Sequence, residues 1–204
     1  MESNQIHVTV HTADAGPAGW IAYSIATWIA WASLCGFVSG KANIYMACIS
    51  LACTIPYLFA ASTQLKMGNG AGGITWLYFG SFFAFCSALT YAVSYFGVIY
   101  EWETDSRILA FQWAVLAIVL ISTTPIFLKF APAAASISII AADTGLVTLT
   151  LIYSGFVNSF ILQLSGWCFF IAGFFGICMT IGGILENAGM KFPMGKPLMA
   201  VKSD

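Results

Sequence analysis

Charge is what this sequence has least of. Only 7% of its 204 residues are Asp, Glu, Lys or Arg, against about 25% in a soluble globular domain. The formal net charge of −1 gives no support for nucleic-acid binding, which draws on basic patches. Imidazole is nearly absent too. Both histidines, His7 and His11, fall in a polar leader, and the alternating β-branched residues around them argue against a helical metal pair. There is no HExxH, GxSxG or phosphate loop, and no metal-spaced Cys/His cluster. Cys35, Cys48, Cys53, Cys86, Cys168 and Cys178 make no CxxC pair and all sit in apolar runs, as small buried residues do. These absences argue against an enzyme, a metal site or a cofactor. A retinal protein would need more spans and a Lys at mid-membrane.

What is present is apolar length. Sixty per cent of the chain is hydrophobic, in six runs at about 18–39, 44–64, 72–99, 108–128, 132–154 and 162–186, each near the roughly 20 residues that cross a hydrocarbon core. Residues 1–16 lack the basic start and apolar core of a signal peptide, so the first run is expected to stay as a span. The reading is an all-α integral membrane protein of six transmembrane helices. It has a polar tail at 1–16, a six-helix domain at 17–188 and a cytoplasmic C-terminal tail at 189–204. Lys66, Lys129, Lys191, Lys196 and Lys202 then share one side, and Lys41 and Arg107 the other. The positive-inside rule makes the lysine-rich side, with both termini, cytoplasmic. No internal repeat is visible, which counts against an inverted-repeat transporter.

One stretch organises the rest. Gly68-Asn69-Gly70-Ala71-Gly72-Gly73 runs directly into Ile74-Thr75-Trp76-Leu77-Tyr78-Phe79-Gly80-Ser81-Phe82-Phe83. Glycines allow a tight bend and close helix approach, and aromatic rings can narrow a passage. This reads as the entry to a pore-forming helix, with Asn69 at its mouth. Small residues recur where helices must pack: Gly36 to Gly40 as a GxxxG in the first run, Ala131 to Ser136 opening the fifth, and Gly173, Gly176, Gly182 and Gly183 in the sixth. Pro56 lies well inside the second run and should kink it.

Asp143 stands alone as a charge near the middle of the fifth run. An acidic side chain there costs about 2.5–3.5 kcal/mol on insertion scales, so it needs a partner or a wet cavity. It reads either as a proton-accepting group on a solute path or as a hydrogen-bonded helix contact. Tyr23 and Phe79 carry the same ambiguity between packing and gating.

Three separated stretches resemble the acetate uptake transporter family, the succinate–acetate permease-like proteins. They are Gly16-Pro17-Ala18-Gly19-Trp20-Ile21-Ala22-Tyr23; Ile55 to Ala61 with Lys66-Met67-Gly68-Asn69 and Tyr78-Phe79-Gly80-Ser81-Phe82; and Ser165-Gly166-Trp167 with Gly173 and Gly182 to Asn187. The first departs from the family's Asn-Pro-Ala-Pro pattern. The resemblance implies a six-helix subunit in a ring of six, each with its own path for small monocarboxylates or succinate through an apolar constriction. Tyr23 and Phe79 match two constriction positions. The third falls at Gly145 or Leu146, with Leu146 favoured because glycine would leave the ring open.

A carboxyl group titrating near 4.3 is only about one part in 500 protonated at pH 7. Its anion loses hydration in a dry constriction, so a narrow apolar ring with hydroxyls near it, such as those of Thr27, Thr75 and Tyr23, is expected to pass the protonated acid, or the anion with a coupled proton. The expected function is a proton-linked channel or transporter, in the cell membrane, for acetate and similar small carboxylic acids. The expected partners are those acids, protons, the bilayer and further copies in a homo-hexamer. A channel for neutral solutes such as urea or short amides is the alternative, and a membrane protein without flux is a third reading.

Overall fold

The computed structural model describes residues 13–199; His7, His11 and Lys202 lie outside them. The described residues contain helices and no β-strand. In chain order these are α1 (Gly16–Leu34), a short 3-10 turn (Gly40–Ala42), α2 (Asn43–Lys66), α3 (Gly70–Tyr78), a π-helical segment (Phe79–Phe85), α4 (Cys86–Ile99), α5 (Ile108–Phe130), α6 (Ala133–Tyr153) and α7 (Ser159–Asn187). α3, the π segment and α4 follow one another without a break, so the chain forms six rods. Five of these are long and apolar enough to cross a membrane. Large apolar side chains cover their outer surfaces, among them Val98, Phe111, Ile118 and Phe160. Water would not tolerate such a surface. This is a multi-pass membrane protein.

The remaining rod, α1, has 19 residues and three tryptophans, together with Pro17, Ser24 and Thr27. Its composition falls short of a lipid-facing span because α1 scarcely faces lipid. Of residues 16–27 only Ile21 and Ile25 are exposed. α1 packs against α7 on one side and α2 on the other. α6 continues from α7, α5 from α6, and the third rod from α2. Side chains close the ring between α5 and the third rod. Gln112 Nε2 donates to the Phe82 carbonyl at 3.2 Å, Cys86 Sγ donates to Gln112 Oε1 at 3.1 Å, and Trp113 meets Phe83 edge-on at 6.0 Å.

The first apolar run ends earlier than its composition suggests. α1 stops at Leu34, not near 39, because Gly36 takes a left-handed conformation (φ 76°). There the Gly36 amide donates to Ser33 at 3.1 Å and the Phe37 amide to Ala32 at 2.9 Å, which satisfies the last carbonyls of the helix. The Gly36–Gly40 pair therefore lies outside the helix and is a cap and a loop rather than a packing motif. The α7 glycines do pack. Gly173 lies against Thr27 and Trp28, Gly176 against Ser24 and Tyr23, and Gly183 against Pro17, so they serve contact within the subunit. α2 runs unbroken through Pro56.

The helix starts are tied down by local donors. Asn69 Oδ1 accepts from the Gly72 amide at 3.0 Å, and Asn158 Oδ1 from the Ile161 amide at 2.8 Å, each satisfying an orphan amide of the first turn. The C-terminal stretch after α7 returns to the α5–α6 corner, where the Met194 carbonyl accepts from the Ala134 amide at 3.0 Å. On the opposite end Arg107 pairs with Asp105 at 2.7 Å. The Arg107 side chain, and then its amide, hold the Asp105 carboxyl down at about 2.

α1 meets α2 and α3 closely at Gly19, where a Cβ would stand 2.8 Å from Ala60 Cβ and 3.1 Å from the Trp76 ring. Gly19→Val should cost about 1–3 kcal/mol through overpacking. Gly97→Ala, whose Cβ meets nothing within 4 Å, should be neutral or gain about 0.5–1 kcal/mol of helix propensity. Thermal unfolding in detergent checks this. Equal midpoints for both variants would contradict the close α1–α2–α3 contact.

Candidate functional site

Two cavities lie at opposite ends of the bundle. The larger, about 450 Å³, is framed by helix ends: Asp14 and Pro17 at the start of α1, Gln64 in the last turn of α2, and Asn69 and Gly72 at the start of α3. Ala131 and Pro132 between α5 and α6, and Met179 on α7, complete its rim. Trp20, Thr75, Trp76, Phe79 and Ile139 form its deeper wall. The smaller, about 80 Å³, is lined by Ala26, Ser33, Ser50, Phe83, Ser87, Trp113, Leu149, Tyr153 and Phe169, among others.

The residues between the cavities follow from helical geometry. Along α1, Trp20 lines the first cavity and Ala26 the second, with Tyr23 between them. Along α6, Ile139 and Leu149 line one cavity each, with Ala142 and Leu146 between. In the third rod Phe79 lines the first and Phe83 the second. These side chains form one buried cluster in which Tyr23 is 1%, Phe79 3%, Phe83 6% and Leu146 1% exposed. The Tyr23 ring lies 5.5 Å from Phe79 and 6.4 Å from Phe83, and those two are 5.9 Å apart. Aromatic pairs at such distances contribute about 0.5–1.5 kcal/mol each. The cavities are thus separated by an apolar aromatic plug.

The third rod presents its residues in an unusual way. Beyond Gly73 its buried positions are Thr75-Trp76, Phe79-Gly80, Phe83-Ala84 and Ser87-Ala88, a four-residue repeat. A regular α-helix, at 3.6 residues per turn, would rotate such a repeat steadily off one face. The π segment from Phe79 to Phe85 has wider turns and turns it back, so all four pairs stay inward. π-bulges of this kind gather at functional sites. Gly80 permits the approach to α2, since a Cβ there would lie 3.0 Å from Tyr57 Cβ.

The other candidates fall into two groups. Thr75 and Asn69 line the larger cavity; the Thr75 hydroxyl donates to the Ala71 carbonyl at 2.8 Å. Gly145 faces α7, where a Cβ would stand 2.9 Å from the Phe169 ring, whereas Leu146 is in the plug cluster. Thr27 lines neither cavity. It is fully buried against α7, and its hydroxyl donates to the Tyr23 and Ser24 carbonyls at 2.9 and 3.0 Å. Asp143 also lines neither. Its Oδ2 accepts from the Thr124 hydroxyl on α5 at 2.7 Å, and its Oδ1 is buried without a partner, as is the Tyr78 hydroxyl. The Tyr23 hydroxyl reaches the Ser138 carbonyl at 3.5 Å.

Trp76 and Phe83 fall in the organising stretch, but neither they nor Ile139 stand out in the sequence as site residues, because Leu77, Phe82 and Phe85 on the outer face of the rod are just as apolar. Asp14 and Gln64 give no signal either, because the hydrogen bonds joining them cross between helix ends. Among the described residues no group of three or more His, Cys, Asp or Glu comes together to hold a metal.

If this plug is the narrowest point, trimming it should widen what passes. Tyr23→Ala and Phe79→Ala should each raise the size limit for small solutes entering reconstituted vesicles. An unchanged size limit in folded variants would contradict the assignment of the constriction.

No family model matches the sequence, and neither does any curated protein. Among solved structures the chain is similar to that of the bacterial acetate channel SatP, with a TM-score of 0.74 and 17% identity over 89% of this chain and 97% of that one. At that identity the likeness is one of fold.

Proposed function

We propose that this protein is a channel or transporter for acetate and similar small carboxylic acids in the cell membrane, linked to protons and working through one path in each subunit. The observation that carries the reading is the plug of Tyr23, Phe79, Phe83 and Leu146 between two cavities, in a chain with the fold of an acetate channel. In this reading all six rods span the bilayer. Lys66, Lys129, Lys191 and Lys196 mark the end with the larger cavity as cytoplasmic, together with both termini.

The plug suits small acids by exclusion. A carboxylate entering it exchanges water for aromatic edges and faces, at a cost far above thermal energy, whereas the protonated acid crosses as a small, weakly polar molecule. Flux should therefore rise as pH falls. The lining of the larger cavity includes no Lys or Arg, an observation that also favours the second reading, a channel for neutral solutes such as urea. Labelled acetate and labelled urea, each followed into proteoliposomes at acid and neutral pH, separate the two. Acetate uptake that is faster at acid pH, with little urea uptake, is the expected result.

Asp143 is proposed as the proton site. Among the described residues it is the one carboxyl within a membrane-crossing helix away from its ends, on the same helix as Ala142 and Leu146 of the plug cluster. Asp143→Asn keeps the shape and the Thr124 contact but cannot ionise. Its acetate flux should lose part of its pH dependence while its amount and fold stay normal; superimposable wild-type and variant curves would assign Asp143 to packing alone.

The subunit is proposed to form a ring of six. Phe111, Val115 and Ile118 make an exposed apolar strip on α5, at 72%, 60% and 65% exposure, available to lipid or to another copy. Native mass spectrometry in mild detergent should show one dominant species of six copies. A monomer with full flux would remove the ring from the account.

A further inference from the structure

Among the described residues Asp14 is the only charged one lining the larger cavity, and a network of named donors holds it there. Its Oδ1 accepts from the Gly16 amide at 2.8 Å and from Gln64 Nε2 at 2.5 Å. The Gln64 Oε1 accepts in turn from Asn69 Nδ2 at 2.5 Å, and Asn69 Oδ1 from the Gly72 amide at 3.0 Å. The chain of bonds thus joins the starts of α1 and α3 to the end of α2. Gln64, only 8% exposed, has both ends of its amide engaged.

An acidic group is an odd choice for the mouth of an anion path. The cations of this end, Lys66 on α2, Lys129 on α5 and Lys191 and Lys196 in the tail, are all exposed, and none lines the cavity. Asp14 makes no salt bridge among the described residues. The other acidic groups on neighbouring elements, Asp143 on α6 and Glu186 on α7, also stay out of the cavity lining. The first amides of α1 offset part of the Asp14 charge, yet a full carboxylate remains inside a vestibule with tryptophan, phenylalanine and isoleucine walls. Walls of low dielectric focus such a field.

We infer that Asp14 is a specificity-determining residue, which thins out anions in the inner vestibule and so raises the share of uncharged, protonated acid presented to the plug. The exposed lysines raise the concentration of carboxylate at the rim, and Asp14 turns back part of what has not taken up a proton. The inference deepens the proposed function and rests on it for the identity of the solute; the field at the vestibule is measurable without any flux.

The test uses Thr75→Cys, inside the same cavity, in an otherwise cysteine-free protein. Two thiol reagents of matched size, one neutral and one anionic, are added from the side of the larger cavity. The anionic reagent should react much more slowly than the neutral one. Adding Asp14→Asn, which keeps the acceptor for Gly16 and Gln64, should raise the ratio of anionic to neutral reaction rates on the order of tenfold; the neutral reagent corrects for any change in the thiolate itself. High salt should shrink the difference, and Asp14→Glu should remain slow. If the ratio of anionic to neutral rates is the same with Asp and Asn at position 14, the filter is refuted. Acetate flux measured in parallel keeps the two claims apart. Normal flux with no charge selectivity overturns this inference alone, and charge selectivity without acetate flux overturns the proposed solute.

Discussion

The ring of Tyr23 is the wedge on which the interior depends. It touches Phe79 and Phe83, and its place is set by how closely α1 can approach its neighbours. In lipid no hydrophobic force drives one helix onto another, so close approach along small residues has to do that work. Gly19 admits Ala60 and Trp76, and Gly173 and Gly176 on α7 admit Thr27, Ser24 and Tyr23. A larger side chain at any of these positions would move α1 outward. The two cavities would then merge or close, according to where the Tyr23 ring went.

The same constraint explains the unusual makeup of α1. A helix held closely between α7 and α2 needs little lipid-facing composition, and its Ser24, Thr27 and Trp28 side chains find internal partners, although the Trp31 indole N–H does not. Trp28 Nε1 donates to the Phe170 carbonyl at 3.2 Å, and Ser24 donates to the Trp20 carbonyl at 2.8 Å. The third rod solves a different problem, since it must present aromatic pairs to one line over four turns. The π segment reconciles a four-residue repeat with a helix of 3.6, and it places Phe79 and Phe83 on opposite sides of the plug.

Much of this was legible in the sequence because it depends on local chemistry. The six runs mark the six rods, and the Gly-Asn turn marks a capped helix start, with Asn69 accepting from Gly72. The end of the first rod was less legible, since apolar residues continue past Gly36 and only its left-handed backbone stops the helix. What depends on rotation about a helix axis was not legible at all. Thr27 and Tyr23 are four residues apart on one helix, yet only Tyr23 reaches the plug. Gly145 and Leu146 are adjacent, and only the position of Phe169 shows that the glycine faces α7. The bonds joining Asp14, Gln64 and Asn69 cross from one helix end to another, a proximity that no spacing along the chain encodes.

The central claim is that solute travels through the larger cavity to the Tyr23 plug, and blocking that cavity tests it most directly. In a cysteine-free background, Thr75→Cys puts a thiol on the cavity wall, and Leu89→Cys puts one on the exposed face of α4, where Leu89 is 54% exposed. Each is modified to completion with a bulky neutral thiol reagent, and labelled acetate uptake into proteoliposomes is then followed. The account predicts that modification abolishes uptake through Thr75→Cys and leaves Leu89→Cys at its starting rate. Undiminished uptake through fully modified Thr75→Cys would contradict it.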